Sequence, residues 1–195
     1  MMRWSVLMAY RRRIYFTEKQ KADIWDPSQR CKHRLPVIIE RGGNLIAIGN
    51  SGTGKTHILC AIGHALIEAG YRVLYCRTGD LVQKMQIARQ ELTLESALSK
   101  LDKFDLIILD DITYAHKDQA ETSVLFELIA RRYEYKSIAI AANQPFSAWD
   151  QIFPDKAMTI AAIDRLVHHA TILEMNAESF RRRAATDNQK AYANA

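Results

Sequence analysis

The sequence predicts an α/β domain in which a parallel sheet of five strands is covered by helices on both faces. Short apolar runs alternate with amphipathic stretches, a glycine-rich loop directly follows the first run, and the third run, residues 106–109, is apolar throughout. Alternation of strands and helices favours a parallel sheet, because parallel strands need crossover connections that commonly contain a helix. A chain of 195 residues is long enough for one such domain and a short appendage.

The predicted elements follow one another along most of the chain. Strands are expected at residues 44–48, 72–76, 106–109, 137–142 and 171–173. Helices are expected at residues 54–69, 80–101, 118–135 and 157–169. The helix at residues 80–101 is polar on one side, and a break in it is expected near Thr93. Pro36 and the pair Gly42 and Gly43 are interpreted as separating a polar, basic leader from this α/β pattern.

The most specific motif is residues 49–56, which have the spacing G-x-x-x-x-G-K-T of a P-loop. Its glycines allow backbone angles and close approaches that side chains would block, so successive N–H groups can surround an anion. The following helix directs its positive end at the phosphates. Lys55 is expected to reach the β- and γ-phosphates of ATP, and the Thr56 hydroxyl to ligate Mg²⁺. A glycine-rich turn without a ligand is the alternative, which the flanking strand and helix disfavour.

A set of nine residues is expected to contact the nucleotide. They are Gly49, Asn50, Ser51, Gly52, Thr53, Gly54, Lys55, Thr56 and His57. His57 lies just inside the helix after the loop, where a packing role is the alternative. Lys55 is also counted among the catalytic residues, because its charge faces the transferred phosphoryl group.

The run at residues 106–111 is an apolar strand that ends in two carboxylates, Asp110 and Asp111. In open α/β sheets, ligands bind at the carboxyl ends of the strands. Asp110 is therefore expected to hold Mg²⁺, through water, beside Thr56. Asp111 is expected to orient or deprotonate the attacking water. A strand followed by an acidic turn is the alternative, and the preceding phosphate loop disfavours it.

Polar residues near the later strands and helices have less specific signals. Asn143 ends the fourth strand and is expected to contact the γ-phosphate or the attacking water, the alternative being an Asn that opens a turn before Pro145. Arg165 is expected to reach a neighbouring subunit's nucleotide as an arginine finger; a surface ion pair with Asp164 or another carboxylate is the alternative. The three arginines at residues 181–183 have three interpretations: a phosphate sensor, a DNA contact or a solvated basic tail. The histidine pair at residues 168–169 has no third metal ligand at a suitable spacing in the sequence, so a packing or surface role is expected.

The charge and cysteine patterns bound the function. Residues 1–41 contain ten Lys/Arg and four Asp/Glu, residues 42–180 contain 13 and 17, and residues 181–195 contain four and one, for a net charge of +5. Basic ends on an acidic body favour a polyanion such as nucleic acid, or are simply solvated. Three cysteines at irregular spacings and the lack of a long apolar run predict a cytoplasmic protein without disulfides or membrane spans.

With these motifs in place, the chain resembles the IstB-like helper ATPases of bacterial insertion sequences, which belong to the AAA+ class and are related to DnaC-type helicase loaders. The matching segments are residues 49–57, 79–82, 105–111, 118–135, 142–146, 162–169 and 178–181. The resemblance implies an ATP-dependent homo-oligomer that binds duplex DNA and assists a cognate transposase. It also implies the sensor role for Asn143 and the finger role for Arg165, and no helical lid domain. Many relatives have Glu at the position of Asp111.

The resemblance sets the expected domains: a basic N-terminal leader at residues 1–35, an AAA+ ATPase domain at 36–185 and a flexible C-terminal tail at 186–195. Relatives have a longer helical N-terminal region thought to contact DNA and transposase. Residues 10–26 resemble instead the start of an unrelated insertion-sequence transposase. We therefore interpret the leader as a fusion remnant at a junction between two mobile elements, which puts partner binding in question.

The expected function is ATP hydrolysis that assists a transposase in selecting target DNA. A DnaC-like helicase-loader switch and a truncated, inactive remnant are the alternatives. A small-molecule kinase is disfavoured, because the short connections leave little room for a substrate pocket and a mobile lid. The expected partners are duplex DNA, the cognate transposase and further copies of the chain, with no membrane.

Overall fold

The computed structural model describes residues 30–112, 119–145, 148–149 and 156–175. All but the first two of these residues belong to one compact unit, Lys32–Ala195. Most of the predicted leader, the arginines at residues 181–183, the predicted C-terminal tail and the transposase-like residues 10–26 lie outside the described residues. The prediction that no lid domain follows the core also concerns residues outside them.

Strands and helices alternate along the described residues. The strands are β1 (Asn44–Gly49), β2 (Val73–Arg77), β3 (Leu106–Asp110), β4 (Ser137–Ala142) and β5 (Ala170–Met175). The helices are α1 (Arg30–Glu40), α2 (Lys55–Glu68), α3 (Thr78–Gln90), α4 (Leu94–Leu101), α5 (Gln119–Arg132) and α6 (Lys156–Val167). Every predicted strand and helix is present, with ends displaced by no more than a few residues. The predicted break near Thr93 separates α3 from α4.

Helix α1 was not predicted from the sequence. Pro36 lies inside it, although it was interpreted as a separator. A proline within a helix removes one backbone hydrogen bond, so a packing gain must offset that loss. Ile39 is buried in the core cluster on one face of the sheet, and Leu35 and Ile38 pack against that cluster. This apolar contact accounts for a helix that the local sequence does not favour.

The five strands form one sheet in the order β2-β3-β4-β1-β5. All four neighbouring pairs are parallel, so the predicted five-stranded parallel sheet is confirmed. Since parallel strands end at the same edge, the segments that follow β1, β3 and β4 meet there. This edge is where the sequence predicts the phosphate loop, the acidic pair and Asn143.

Two apolar cores cover the two faces of the sheet, as predicted. Alternate residues of β1 point to opposite faces, with Ile46 in one core and Leu45 and Ala47 in the other. The core around Ile46 is completed by helices α3, α4, α5 and α6, and the core around Leu45 by α1 and α2. None of the described helices combines the length and apolar composition that a membrane crossing needs.

A buried arginine joins the end of α5 to the connection before β3. Arg132 is only 1% exposed. Its guanidinium donates to the carbonyl oxygens of Leu101 at 3.1 Å, Phe104 at 2.9 Å and Ser137 at 3.0 Å. Burial lowers the pKa of Arg132 to about 10, so the group stays charged at neutral pH.

The substitution Arg132→Met is expected to lower the free energy of unfolding by about 3 kcal/mol, because it leaves buried carbonyl groups without their donor. Urea denaturation at pH 7 measures the change. The matched control is Arg131→Met, which removes partly exposed ion pairs with Glu95 and Asp102 and is expected to cost no more than about 1 kcal/mol. Equal losses in the two variants would contradict a special role for the buried group.

Candidate functional site

The loop between β1 and α2 has the backbone geometry of an anion-binding loop. Gly52 and Gly54 have φ angles of 84° and 96°, which side chains rarely allow. The Thr53 hydroxyl donates to the Asn50 carbonyl at 2.9 Å and ties the loop to itself. The first turn of α2 begins directly after Gly54. The chain therefore brings a helix amino terminus and a glycine-rich turn together, the combination that binds phosphate.

Gly49 is required for a reason that the motif alone does not show. A Cβ atom at this position would lie 2.4 Å from the carbonyl oxygen of Met175 on the neighbouring strand β5. The glycine therefore allows β5 to pair along β1 up to the point where the loop begins. The fold and the loop both depend on this residue.

Lys55 places its positive charge inside the loop. The residue is 6% exposed. Its Nζ atom donates to the carbonyl oxygens of Gly49 and Asn50, each at 2.8 Å. A buried ammonium held by loop carbonyls at a helix amino terminus suits a phosphate group, which can replace those carbonyls as the acceptor. The predicted loop residues Asn50, Ser51 and His57 are exposed at this site.

Thr56 and Asp110 meet beside the loop, as the sequence predicts. The Thr56 hydroxyl donates to Asp110 Oδ1 at 2.8 Å, and Asp110 is 7% exposed. A hydroxyl and a carboxylate at this distance are hard oxygen donors of the kind that Mg²⁺ prefers. The residues present therefore fit a Mg²⁺–nucleotide complex, with Lys55 facing the phosphates.

Two residues of the site were missed by the sequence analysis. The Tyr75 hydroxyl donates to Asp110 Oδ2 at 2.7 Å, and the buried Thr78 hydroxyl donates to the Asp110 carbonyl at 2.8 Å. Both contacts exist because β2 pairs with β3, with Arg77 opposite Asp110. In the sequence, Tyr75 looks like an aromatic core residue in an apolar strand, so only the strand order reveals its role.

The protonation of the groups around Asp110 follows from their surroundings. Burial, the hydrogen bond to Asp110 and the charge of that carboxylate raise the pKa of Tyr75 well above its ordinary value. Burial and the same charge also raise the pKa of the Cys60 thiol. Tyr75 therefore remains a hydrogen-bond donor at neutral pH, and Cys60 remains a thiol rather than a nucleophilic thiolate.

Asp111 and Asn143 lie together at the ends of β3 and β4. The Asn143 Nδ2 atom donates to Asp111 Oδ1 at 3.3 Å. Asp111 is exposed and has a φ angle of 56°, in the left-handed region where Asp and Asn are the most tolerated residues after Gly. An exposed carboxylate oriented by an amide, next to the predicted metal ligand Asp110, is suited to activating water.

Arg165 lies apart from these residues in the single chain. Its Nη1 atom donates to the carbonyl of Ala161 on its own helix at 3.1 Å. Its Cζ atom lies 5.0 Å from the centre of the Phe126 ring on α5, in a cation–π contact. The finger role of Arg165 requires a second subunit and stays a prediction.

Comparisons with known proteins agree with the geometry of the site. A protein-family model described as IstB-like ATP binding protein matches residues 26–188. An insertion sequence ATP-binding protein of Sinorhizobium fredii (strain NBRC 101917 / NGR234) is 65% identical over 149 residues, which are 76% of this chain and 50% of that protein. The insertion sequence IS21 ATP-binding protein of Pseudomonas aeruginosa is 39% identical over 74% of this chain and 55% of its own length. The chain thus spans about half the length of these two relatives.

Solved structures show the same fold at low sequence identity. The structure of DnaI has a TM-score of 0.65 and 20% identity, covering 79% of this chain and 86% of that one. The AMPPCP-bound DnaA of Aquifex aeolicus has a TM-score of 0.60 and 23% identity, covering 85% of this chain and 52% of that one. These likenesses confirm the predicted fold, a parallel sheet covered by helices on both faces. The family model spans most of this chain, and the relatives named above are similar to it in sequence. This chain therefore belongs to the IstB-like ATP binding protein family.

Proposed function

We propose that the chain hydrolyses ATP as a homo-oligomer on duplex DNA and thereby helps a transposase to engage its target. One observation carries the ATPase part: Thr56 and Asp110 meet beside the buried Lys55, with Asp111 one residue further on. The insertion-sequence part is supported by the names of the relatives, which share up to 65% identity with this chain. The DNA part is supported by the excess of Lys and Arg at both ends of the sequence.

Each residue of the site has a proposed role in hydrolysis. Lys55 binds the β- and γ-phosphates, and Thr56 and Asp110 hold Mg²⁺. When bound, the metal neutralises the negative charge of the phosphate oxygens. Asp111 orients the attacking water and accepts its proton as the water oxygen bonds to the γ-phosphorus and ADP leaves with the bond electrons. Asn143 holds the Asp111 carboxylate in place and donates its amide toward the γ-phosphate or the water.

ATP turnover by the full chain, with and without duplex DNA at low salt, tests the proposal. We expect DNA to raise the rate, and added salt to diminish the stimulation, because phosphate contacts release counterions. A Lys55→Ala preparation made in parallel reports any contaminating ATPase. Turnover that DNA leaves unchanged would reject the DNA part and favour a loader-like switch. ATP binding without turnover under both conditions would favour an inactive remnant.

Tyr75→Phe is expected to raise the Mg²⁺ concentration for half-maximal turnover by about tenfold, because Asp110 loses the hydrogen bond that orients it. ATP affinity in the absence of Mg²⁺ should not change, since Tyr75 acts only through the carboxylate. The matched control is Tyr71→Phe, which removes a similar bond to Glu40 away from the site and should not alter the Mg²⁺ requirement. An unchanged Mg²⁺ requirement in Tyr75→Phe would show that Tyr75 does not act on the metal site.

Arg165→Ala is expected to lower turnover on the order of tenfold without weakening ATP binding, because the neighbour's nucleotide loses one cation while Lys55 remains. Mixing this variant with Lys55→Ala tests action between subunits. A site with Lys55 from one variant and Arg165 from the other would be complete, so the mixture should hydrolyse ATP faster than either variant alone. A mixture no faster than the average of its components would show that Arg165 is not a finger.

A further inference from the structure

Three exposed side chains that can ligate a metal gather at the edge of the sheet opposite the phosphate loop. Glu134 follows α5 and precedes β4, and His168 and His169 follow α6 and precede β5. One ligand atom from each of the three lies within 4.8 Å of those of the other two. Strand β1 lies between β4 and β5, which brings two turns distant in sequence side by side. The histidine pair lacks a third ligand in the sequence, and the fold supplies Glu134.

The backbone beneath these side chains is held by buried contacts. The Asn44 backbone N–H donates to the His169 carbonyl at 2.9 Å. The buried Asn44 side chain donates to the Leu166 carbonyl at 3.0 Å and accepts from the Ile138 N–H at 2.9 Å. One asparagine at the start of β1 thus connects the end of α6 to the start of β4. The two turns that carry the three side chains are therefore fixed relative to each other.

Close packing also fixes the turn that carries Glu134. Glu134 has a φ angle of 64°, an uncommon conformation for a side chain of its size. A Cβ atom at Gly42 would lie 2.8 Å from the Glu134 carbonyl carbon, so the turn lies directly against the glycine before β1. A strained backbone persists only where its surroundings impose it. Here the imposed conformation places a carboxylate beside two imidazoles.

Tyr133 contacts one histidine of the cluster. Its hydroxyl lies 2.8 Å from His168 Nδ1, within hydrogen-bond distance. In the His168 tautomer that carries its proton on Nδ1, the imidazole donates to the phenol oxygen of Tyr133. That tautomer leaves a lone pair on Nε2 of His168. Metal-binding histidines commonly donate their other ring N–H to a neighbouring oxygen in this way.

We propose that Glu134, His168 and His169 bind a divalent transition-metal ion of the Zn²⁺ type, with Tyr133 as a positioning residue. Two imidazoles and one carboxylate suit Zn²⁺ rather than Mg²⁺ or Ca²⁺, which prefer oxygen ligands. Ligand atoms around tetrahedral Zn²⁺ are about 3.4 Å apart, so exposed side chains need only small rotations from their present positions. Three protein ligands leave a fourth position for water.

The proposed metal site is independent of the nucleotide site. The two lie at opposite ends of β1, whose six residues span about 20 Å. Loss of Zn²⁺ binding would therefore leave ATP binding intact, and loss of ATP binding would leave Zn²⁺ binding intact.

Calorimetric titration of the tag-free, metal-stripped full chain with Zn²⁺ tests the proposal. We expect one saturable site, weakened at least tenfold by His168→Ala or His169→Ala and about tenfold by Tyr133→Phe. The matched control is His64→Ala, which removes an exposed histidine 3.5 Å from Glu68 and should leave the affinity unchanged. Failure of the wild type to saturate, wild-type affinity in His168→Ala, or an equal loss in His64→Ala would each overturn the proposal.

A second measurement needs no variant and so does not depend on variant folding. Co²⁺ at the proposed site should broaden the NMR amide resonances of Glu134, His168 and His169 before those of residues 49–56. Broadening that begins at the phosphate loop or elsewhere would overturn the assignment. ATP titration of His168→Ala at saturating Mg²⁺ should give the wild-type affinity, which separates failure of this site from failure of the nucleotide site.

Discussion

Replacement of Lys55 by alanine is expected to weaken ATP binding by about 100-fold or more. The ammonium lies inside the loop, within 2.8 Å of the Gly49 and Asn50 carbonyls, where a phosphate group would take over its hydrogen bonds. A hydrogen bond to a charged group contributes about 1.5–3 kcal/mol, and about 1.4 kcal/mol corresponds to a tenfold change in affinity. Two phosphate contacts of this kind account for the expected loss. Titration with ATP and Mg²⁺ measures it directly.

The Lys55 ammonium also donates hydrogen bonds to the loop carbonyls, so its removal affects the conformation of the loop as well as removing a charge. Lys55→Met retains much of the aliphatic stem and should show the same loss of affinity if the charge is what matters. Lys84→Ala, which removes an exposed lysine on α3, should bind ATP normally. Wild-type affinity in either Lys55 variant would refute the assignment of the phosphate loop. Urea denaturation identifies a variant that has merely lost stability.

The parts of the fold that the sequence predicted are those whose signals are local. An apolar run such as residues 106–109 suits an interior strand of a covered sheet, and β3 lies between β2 and β4. The loop at residues 49–56 combines a strand, a glycine turn and a helix within a single stretch of chain. Helix α1 was missed because its stability comes from the packing of Ile39 against distant strands, whereas its local sequence contains a proline.

The predicted site residues likewise have local signals in the sequence, whereas the missed ones depend on the order of the strands. Asp110 and Asp111 were predicted because any carboxylate at the end of a buried parallel strand reaches the ligand edge. Tyr75 contacts Asp110 only because β2 is the neighbour of β3, and Glu134 reaches the histidine pair only because β1 lies between β4 and β5. Strand order is a property of the whole chain, so neither contact can be derived from local spacing.

Asp111→Asn is expected to lower kcat by about 1,000-fold while ATP binding is retained, because a general base contributes roughly 100- to 10,000-fold to such reactions. The substitution removes the negative charge of the side chain and retains its shape. Asn tolerates the left-handed backbone at this position, where φ is 56°, and retains an oxygen that can accept from Asn143. The affinity for ATP should stay close to the wild-type value, since Lys55, Thr56 and Asp110 are untouched.

The matched control is Asp80→Asn, which removes an exposed carboxylate in the first turn of α3. Its kcat should equal that of the wild type, because Asp80 carries no role in the proposed hydrolysis. Wild-type turnover in Asp111→Asn would remove Asp111 from the chemistry and leave Asn143 to position the water. A parallel loss of affinity and kcat would show instead that the carboxylate acts by shaping the loop. Retained binding with lost turnover is the outcome expected of a residue that acts on the attacking water.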